Sequence, residues 1–172
     1  MSHSNKSRQM PDEALINSMQ MAGLLEEPAE ANFSILTGGV ASEIWKVETS
    51  KKSYCVKRAL SKLNVEAEWY APIERNRFEV AWCRFVEKNL PGSAPHIIYH
   101  DEKNMLCCME FLDPIHYSLW KNELRDGRGD PSQAKNVGQK LGRIHALSSD
   151  NKSIQSEFPR QDIFYAIRLE PY

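Results

Sequence analysis

One long amphipathic helix, predicted between three short strands and two more, is the sequence feature that most constrains how this chain folds. The apolar residues that recur at spacings of three and four over roughly residues 74–90 are Phe78, Ala81, Trp82, Phe85 and Val86. That spacing places them on one helical face, and Pro91 with Gly92 ends the helix. It is the strongest helical pattern in the chain.

Five strands are predicted around this helix, three before it and two after it. They cover residues 32–36, 43–48, 53–60, 96–100 and 105–112. Short consecutive strands joined by tight turns favour an antiparallel sheet over a parallel one. The sequence therefore predicts an α+β fold, a five-stranded antiparallel sheet with one long helix.

The segments outside and between these elements have weaker patterns. Residues 1–10 are predicted to be disordered, and residues 11–27 to form an amphipathic helix that Pro28 ends. Residues 61–72 form a polar connector with a helical tendency. Further helices are predicted after residue 112, because Pro114 breaks the last strand and helical spacing returns.

The C-terminal part is predicted to be helix and loop. A short helix over 117–125 is followed by a longer one to about residue 147, with Asp130 as its N-cap and an apolar stripe of Val137, Leu141 and Ile144. Residues 148–156 are predicted to be a polar stretch. A last helix opens at Asp162, with Ile163, Phe164 and Ile167 facing inward. The predicted divisions are 1–32 (tail and helix), 33–112 (sheet lobe), 113–130 (linker) and 131–172 (first helices of a second lobe).

The composition, 41% hydrophobic and 26% charged over 172 residues, is that of one globular domain, or one lobe and the start of another. A formal net charge of -1 argues against a nucleic-acid-binding surface. No apolar run reaches the length of a membrane span, and the start is too polar for a secretory signal. Four cysteines without metal-ligand spacing indicate a reduced, cytoplasmic protein.

The turn between the first two strands is a candidate cradle for phosphate groups. Gly38 and Gly39 let backbone N–H groups approach an anion without an intervening Cβ, and Ser42 adds a hydroxyl donor. The turn matches neither the dinucleotide-binding fingerprint nor the P-loop. An ordinary hairpin turn is the alternative explanation of the two glycines.

Lys57 and Glu79 are a candidate ion pair between the third strand and the long helix. Glu79 lies on the helical stripe of Trp82 and Val86, where an unpaired carboxylate is costly. The helix follows the strand that carries Lys57, so a pair would satisfy both charges. The alternative is an exposed strand lysine and a glutamate in water at the edge of the stripe.

The fifth strand runs into a linker led by Pro114. Backbone groups beyond Met109 are predicted to lack a sheet partner, which leaves them free to bond the edge of a planar base. A plain core strand is the alternative.

The remaining ionisable residues indicate no further site. The cationic residues predicted to lie on solvated helix faces are Arg75, Arg77, Lys121 and Arg125. His100 and Asp101 lie in a strand–turn context, which is not that of a catalytic loop.

Five segments together resemble the aminoglycoside phosphotransferase-like family of small-molecule kinases, which includes methylthioribose, choline and homoserine kinases and has the two-lobed protein-kinase-like fold. In order they are 36–45, 55–60, 75–80, 109–112 and 141–146. Each segment alone matches the family only weakly. Their order and spacing carry the resemblance, which covers roughly residues 33–172.

The resemblance implies that residues 33–112 are a nucleotide-binding lobe, with ATP and Mg²⁺ as cofactors and a small hydroxylated molecule as substrate. The implied nucleotide-binding residues are Gly38, Gly39, Val40, Ser42, Lys57, Glu79, Met109, Glu110 and Leu112. The turn would cover the phosphates, the lysine would bind the α- and β-phosphates, and the last three residues would meet the adenine base. Family members often carry Ser-Asn after the glycines, where this chain has Ala41-Ser42.

The family's catalytic aspartate, asparagine and metal-binding aspartate have no counterpart after His145. The chain is therefore expected to be a fragment, with no catalytic residue and no metal ligand of its own. A second hypothesis is a non-catalytic nucleotide-binding or interaction module, and a third is an unrelated α+β domain with a chance arrangement. The sequence indicates neither the acceptor nor the oligomeric state.

Overall fold

The five-stranded antiparallel sheet predicted from the sequence is present in the computed structural model, which describes residues 10–170. The strands are β1 (Asn32–Ile35), β2 (Ser42–Glu48), β3 (Ser53–Ala59), β4 (Ile97–Asp101) and β5 (Leu106–Glu110). Their spatial order is β1-β2-β3-β5-β4, and every adjacent pair is antiparallel. The disorder expected of residues 1–10 falls, apart from Met10, outside the described residues.

The helices are α1 (Glu13–Met21), α2 (Arg75–Asn89), α3 (Trp120–Arg125), α4 (Pro131–Ser148), α5 (Lys152–Glu157) and α6 (Gln161–Phe164), which continues as a π-helical segment, Tyr165–Leu169. A short 3₁₀ segment, Pro28–Glu30, precedes β1. The long helix α2 lies between β3 and β4, as predicted. The α+β fold with one long helix in the sheet lobe is therefore confirmed.

Strand register gives the sheet two different faces. Ile44, Lys57 and Cys107 lie opposite one another across β2, β3 and β5. Their neighbours Trp45 and Val56 form the adjacent row, and side chains of successive residues point to opposite faces. One face therefore carries Lys57 and the other carries the large apolar residues.

Helix α1 covers the apolar face. Leu15 and Met19 are fully buried in the same cluster as Trp45 and Val56. The hydroxyl of Ser18, also buried, donates to Asp101 Oδ2 at 2.7 Å, which ties the helix to the end of β4. The core of the sheet lobe thus extends to residues before β1.

Helix α1 ends earlier than predicted. Gly23 has φ of +69°, and the amide of Leu24 donates to the carbonyl of Met19 at 3.0 Å. A left-handed glycine with this bond is a common helix C-terminus. The helix stops at Met21 because of Gly23, and the prediction that it continues to Pro28 was wrong.

The buried face of α2 differs from the predicted one. It consists of Asn76, Val80, Cys83 and Val86. Trp82, predicted on the buried stripe, is 43% exposed. A polar asparagine and a small cysteine lie on the inner face of the helix. Because the prediction counted only large apolar residues, it placed the buried face at a different angle around the helix axis.

Two further expectations were wrong. Residues 61–72 form no helix and instead contain a bridge between Lys62 and Tyr70. Phe164 is 59% exposed, whereas its neighbour Ile163 is buried as expected. The predicted polar stretch contains α5, which Asn151 caps by accepting from the amide of Ile154 at 3.3 Å.

Helix α4 begins as predicted but packs little. Asp130 caps it by accepting from the amide of Ser132 at 2.8 Å. No residue of α4 is buried, and Val137 and Leu141 of its apolar stripe are 45% and 49% exposed. Among residues 10–170, no helix has both the length and the apolar character needed to cross a bilayer.

Leu15→Ala is expected to lower the free energy of unfolding by about 2–5 kcal/mol, because it opens a cavity in a fully buried position. Met21, on the same helix, is 86% exposed, and Met21→Ala is expected to change that free energy by less than about 0.5 kcal/mol. Urea unfolding followed by circular dichroism measures both. Equal effects of the two substitutions would contradict the packing of α1 on the sheet.

Candidate functional site

The glycine turn between β1 and β2 requires glycine at both positions. Gly38 has φ of +101°, a conformation that other residues rarely adopt. A Cβ on Gly39 would lie 2.7 Å from the carbonyl oxygen of Ser42 and 2.9 Å from Ile44 Cδ1. The backbone of the turn therefore lies closer to β2 than any side chain would permit.

Backbone hydrogen bonds hold this turn against the segment after β3. The amide of Leu60 donates to the carbonyl of Ala41 at 3.1 Å, and the amide of Asn64 donates to the carbonyl of Val40 at 2.8 Å. A cavity of about 410 Å³ lies against the turn, and its lining includes Gly38, Gly39, Ser42, Ile44, Leu60 and Asn64. Lys57 does not line this cavity, although its register partner Ile44 does.

Lys57 and Glu79 form the ion pair predicted from the sequence. The Lys57 ammonium donates to Glu79 Oε1, and the two side chains are 24% and 35% exposed. Strand β3 supplies the lysine on the face opposite α1, and helix α2 supplies the carboxylate. What the pair binds stays a prediction.

A buried polar group that the sequence did not reveal lies beside this pair. Asn76 is 1% exposed, and its Nδ2 donates to Cys107 Sγ at 3.6 Å. Burial raises the pKa of the Cys107 thiol to about 12, so the sulfur accepts as a neutral group. The asparagine Oδ1 is then the acceptor for His100 Nε2–H at 3.0 Å. An asparagine one turn before Val80 on the inner face was the available signal.

The prediction that Arg75 lies on a solvated helix face was wrong. Its guanidinium donates to backbone carbonyls, Nη1 to Ala71 at 3.1 Å and to Pro72 at 2.7 Å, and Nη2 to Leu60 at 2.5 Å and to Ala41. Burial lowers the pKa of Arg75, while nearby carboxylates oppose that shift. Sequence periodicity cannot identify carbonyl acceptors that come from distant segments.

The end of β5 is paired one residue further than predicted. Glu110 lies opposite Tyr54, and its amide donates to the carbonyl of His96 at 3.0 Å. The amide of His96 donates to the Glu110 side chain at 2.9 Å. The claim that backbone groups beyond Met109 have no sheet partner is therefore wrong for the Glu110 amide.

The Glu110 carbonyl, unlike the Glu110 amide, agrees with the prediction that it has no partner in the sheet. The amide of Ala59 donates to the carbonyl of Met105 at 3.2 Å, which fixes the alternation of bonded and non-bonded pairs between β3 and β5. By that alternation Tyr54 and Glu110 are a non-bonded pair. Within residues 10–170 the Glu110 carbonyl and the Leu112 amide therefore have no backbone partner.

Met109 and Lys46 lie on the same sheet face as Lys57. Met109 is 7% exposed and packs with Val80 and Cys107 under α2. Lys46 Nζ lies 4.6 Å from the centre of the Phe111 ring and also pairs with a carboxylate on its own strand. The alternation of β2 places Lys46 on the same face as Ile44, and that spacing was the available signal.

No group of three or more metal-ligating side chains is found in the described range, 10–170. No Mg²⁺ ligand is therefore assigned to these residues.

The chain is similar to methylthioribose kinases of bacilli. It is 27% identical over 139 residues to the methylthioribose kinase of Bacillus mycoides (strain KBAB4), which is 80% of this chain and 35% of that protein. Over 139 residues it is 26% identical to the proteins of the same name from Bacillus cereus (strain B4264) and Bacillus thuringiensis (strain Al Hakam), with the same coverage. No family model matches the chain.

The aligned part accounts for 35% of the length of these relatives, so the chain spans about a third of them. The five-stranded antiparallel sheet with α2 is consistent with a kinase-like N-terminal lobe.

Stability is expected to fall, in part through His100, as pH falls below the ordinary histidine pKa of 6.5. Burial lowers the pKa of His100 below its ordinary value of 6.5, and Arg84 and Arg77 lower it further against Glu102 and Asp101. The unfolded state then takes up the proton first. The His100 contribution is complete above the ordinary pKa and is lost as pH falls through the folded one.

His100→Gln is expected to flatten this part of the pH dependence, measured as the urea midpoint at a series of pH values. His116→Gln is the matched control, because that side chain is exposed and should leave the profile unchanged. Identical profiles for the two variants would contradict the assignment.

Proposed function

We propose that the chain is the nucleotide-binding part of an ATP- and Mg²⁺-dependent kinase of the aminoglycoside phosphotransferase-like family, which phosphorylates a hydroxyl of a small sugar. The ion pair between Lys57 and Glu79, beside a glycine turn on the same side of the sheet, is the observation that carries this proposal. The named relatives favour a methylthioribose-like acceptor.

The glycine turn is proposed to cover the phosphates. Gly38, Gly39 and Val40 would present backbone N–H groups, and Ser42 would add its hydroxyl. The cavity against the turn supports the proposal that an anion has room at this edge of the sheet. Such a cradle is specific for charge and shape rather than for a base.

Lys57 is proposed to bind the α- and β-phosphates while Glu79 holds its ammonium in place. In protein kinases the same arrangement of a strand lysine and a helix glutamate must be complete before phosphoryl transfer occurs. The pair is partly exposed, so an arriving phosphate reaches the ammonium without breaking the fold.

The adenine base is proposed to meet the end of β5. The Glu110 carbonyl would accept from the base and the Leu112 amide would donate to it, since both lack a backbone partner within residues 10–170. Met109 would close the inner end of the pocket, where it already packs under α2.

Transfer to an acceptor also needs a base near the acceptor hydroxyl and carboxylates that hold Mg²⁺. The described residues supply no such metal-ligand group, and no residue of this chain is assigned either role. We therefore propose that transfer belongs to a longer protein in which this chain is the nucleotide-binding part.

Lys57→Ala is expected to weaken MgATP binding by about tenfold or more, because it removes the only charge proposed to contact the phosphates. Isothermal titration calorimetry measures the affinity. Lys51→Ala is the matched control, since the Lys51 side chain is 71% exposed and pairs with Glu26 beyond the opposite end of β2. MgATP binding that is the same in both variants would refute the assignment of Lys57.

Incubation of the chain with γ-labelled ATP and a panel of hydroxylated acceptors, methylthioribose included, is expected to give no labelled product. ATP binding without turnover is also what a non-catalytic nucleotide-binding module would show, and a longer protein that transfers phosphate separates the two. Robust turnover by the chain alone would refute the proposed incompleteness. No binding of ATP would favour an unrelated α+β domain.

A further inference from the structure

We infer that Arg75 is a positioning residue that fixes the glycine turn relative to the helix carrying Glu79. The inference rests on the proposed function, because the turn matters to catalysis only if it holds phosphates. Arg75 is the first residue of α2, and Glu79 follows one turn later on the same side of the helix.

The Arg75 guanidinium connects three separate segments of the chain. Its acceptors are the carbonyl of Ala41 at the back of the turn, that of Leu60 just after β3, and those of Ala71 and Pro72 at the entry to α2. The carbonyl of Ala41 also accepts from the amide of Leu60. The turn, the end of the Lys57 strand and the start of the Glu79 helix are therefore held by one planar group.

These acceptors indicate a geometric role for Arg75. All four are neutral carbonyls, and within the described residues no carboxylate lies within ion-pair distance of this side chain. A charge that was needed only for solubility would remain in water, where it costs nothing. The planar guanidinium has five N–H donors in a rigid arrangement, which suits several carbonyls at fixed positions.

Lysine cannot reproduce this arrangement. Its ammonium has three donors at a single point on a flexible stem, so it cannot reach the turn and the helix entry together. Arg75→Lys keeps the charge and most of the volume but loses the connection. It therefore separates a positioning role from a purely electrostatic one.

A more mobile glycine turn should affect binding of the phosphates and binding of the adenine base differently. The proposed adenine contacts lie at Glu110, the last residue of β5, and at Leu112 just beyond it, whereas Arg75 contacts the turn from behind. Loss of the connection should weaken contacts with the phosphates and spare those with the base. A variant that merely destabilised the lobe would weaken both.

The experiment compares Arg75→Lys and Arg75→Gln with the matched control Arg77→Gln. Arg77 is on the same helix, its side chain is 53% exposed, and it pairs with Glu102 at 3.0 Å. Calorimetry gives the Kd of each protein for MgATP and for adenosine. Hydrogen exchange of residues 37–42 without nucleotide reports on the turn directly.

Both Arg75 variants are expected to weaken MgATP binding about tenfold and to change adenosine binding less than about twofold. Their amides at residues 37–42 should exchange faster than those of Arg77→Gln, while amides in the middle of α2 stay protected. An equal loss of MgATP and adenosine affinity, or unchanged MgATP affinity, would overturn the inference.

Failure of the proposed function has a separate signature, since the wild-type chain would then bind neither MgATP nor adenosine. In that case exchange decides the structural claim, and equal exchange at residues 37–42 in Arg75→Lys and Arg77→Gln overturns it. If Arg75→Gln does not fold, Arg75→Lys carries the same comparisons.

Discussion

The packing of α2 across one face of the sheet is the constraint on which the candidate site depends. A partly exposed ion pair contributes at most about 1 kcal/mol, so the contact of Lys57 with Glu79 cannot hold the helix in place by itself. Buried contacts hold the helix in place instead. Val80 packs on β5, and both polar side-chain atoms of Asn76 form hydrogen bonds, one with Cys107 and one with His100. The ion pair is therefore a consequence of how the helix is seated.

The two faces of the sheet are used for different purposes, and strand parity separates them. Lys57 and Arg58 are neighbours on β3, yet Lys57 pairs with Glu79 of α2 while Arg58 pairs with Asp12 and Glu43 on the other side. A slip of one residue in register would place Arg58 on the face of α2 and Lys57 on the face of α1. The apolar packing of α1 against the second face makes such a slip costly, and so it protects the site indirectly.

The parts of this structure that local sequence patterns predict are those that local chemistry determines. Alternation gave the five strands, spacing gave α2, and Asp130 marked the start of α4. The failures have nonlocal causes or involve unusual residues. The left-handed Gly23 ends α1, Asn76 occupies an inner position where periodicity expects an apolar residue, and Arg75 bonds carbonyls up to 34 positions away in sequence. The ion pair was predictable because β3 and α2 follow each other along the chain, whereas the hydrogen bonds of Asn76 and Arg75 required the fold.

Arg75 places a positive charge against the backbone of the glycine turn, although the chain as a whole is slightly negative, with a net charge of -1. In the lobe as described, Glu79 neutralises Lys57, whereas Arg75 bonds only to neutral carbonyls. Its guanidinium thus lies behind the backbone amides of the turn, with carbonyl dipoles as its direct partners and the carboxylates of Glu79 and Glu74 acting on it through space. Under the proposed function, the same guanidinium that fixes the geometry of the cradle also supplies part of its electrostatic attraction. Arginine fits that double requirement better than lysine because its charge persists while Nη1 and Nη2 each donate to two carbonyls.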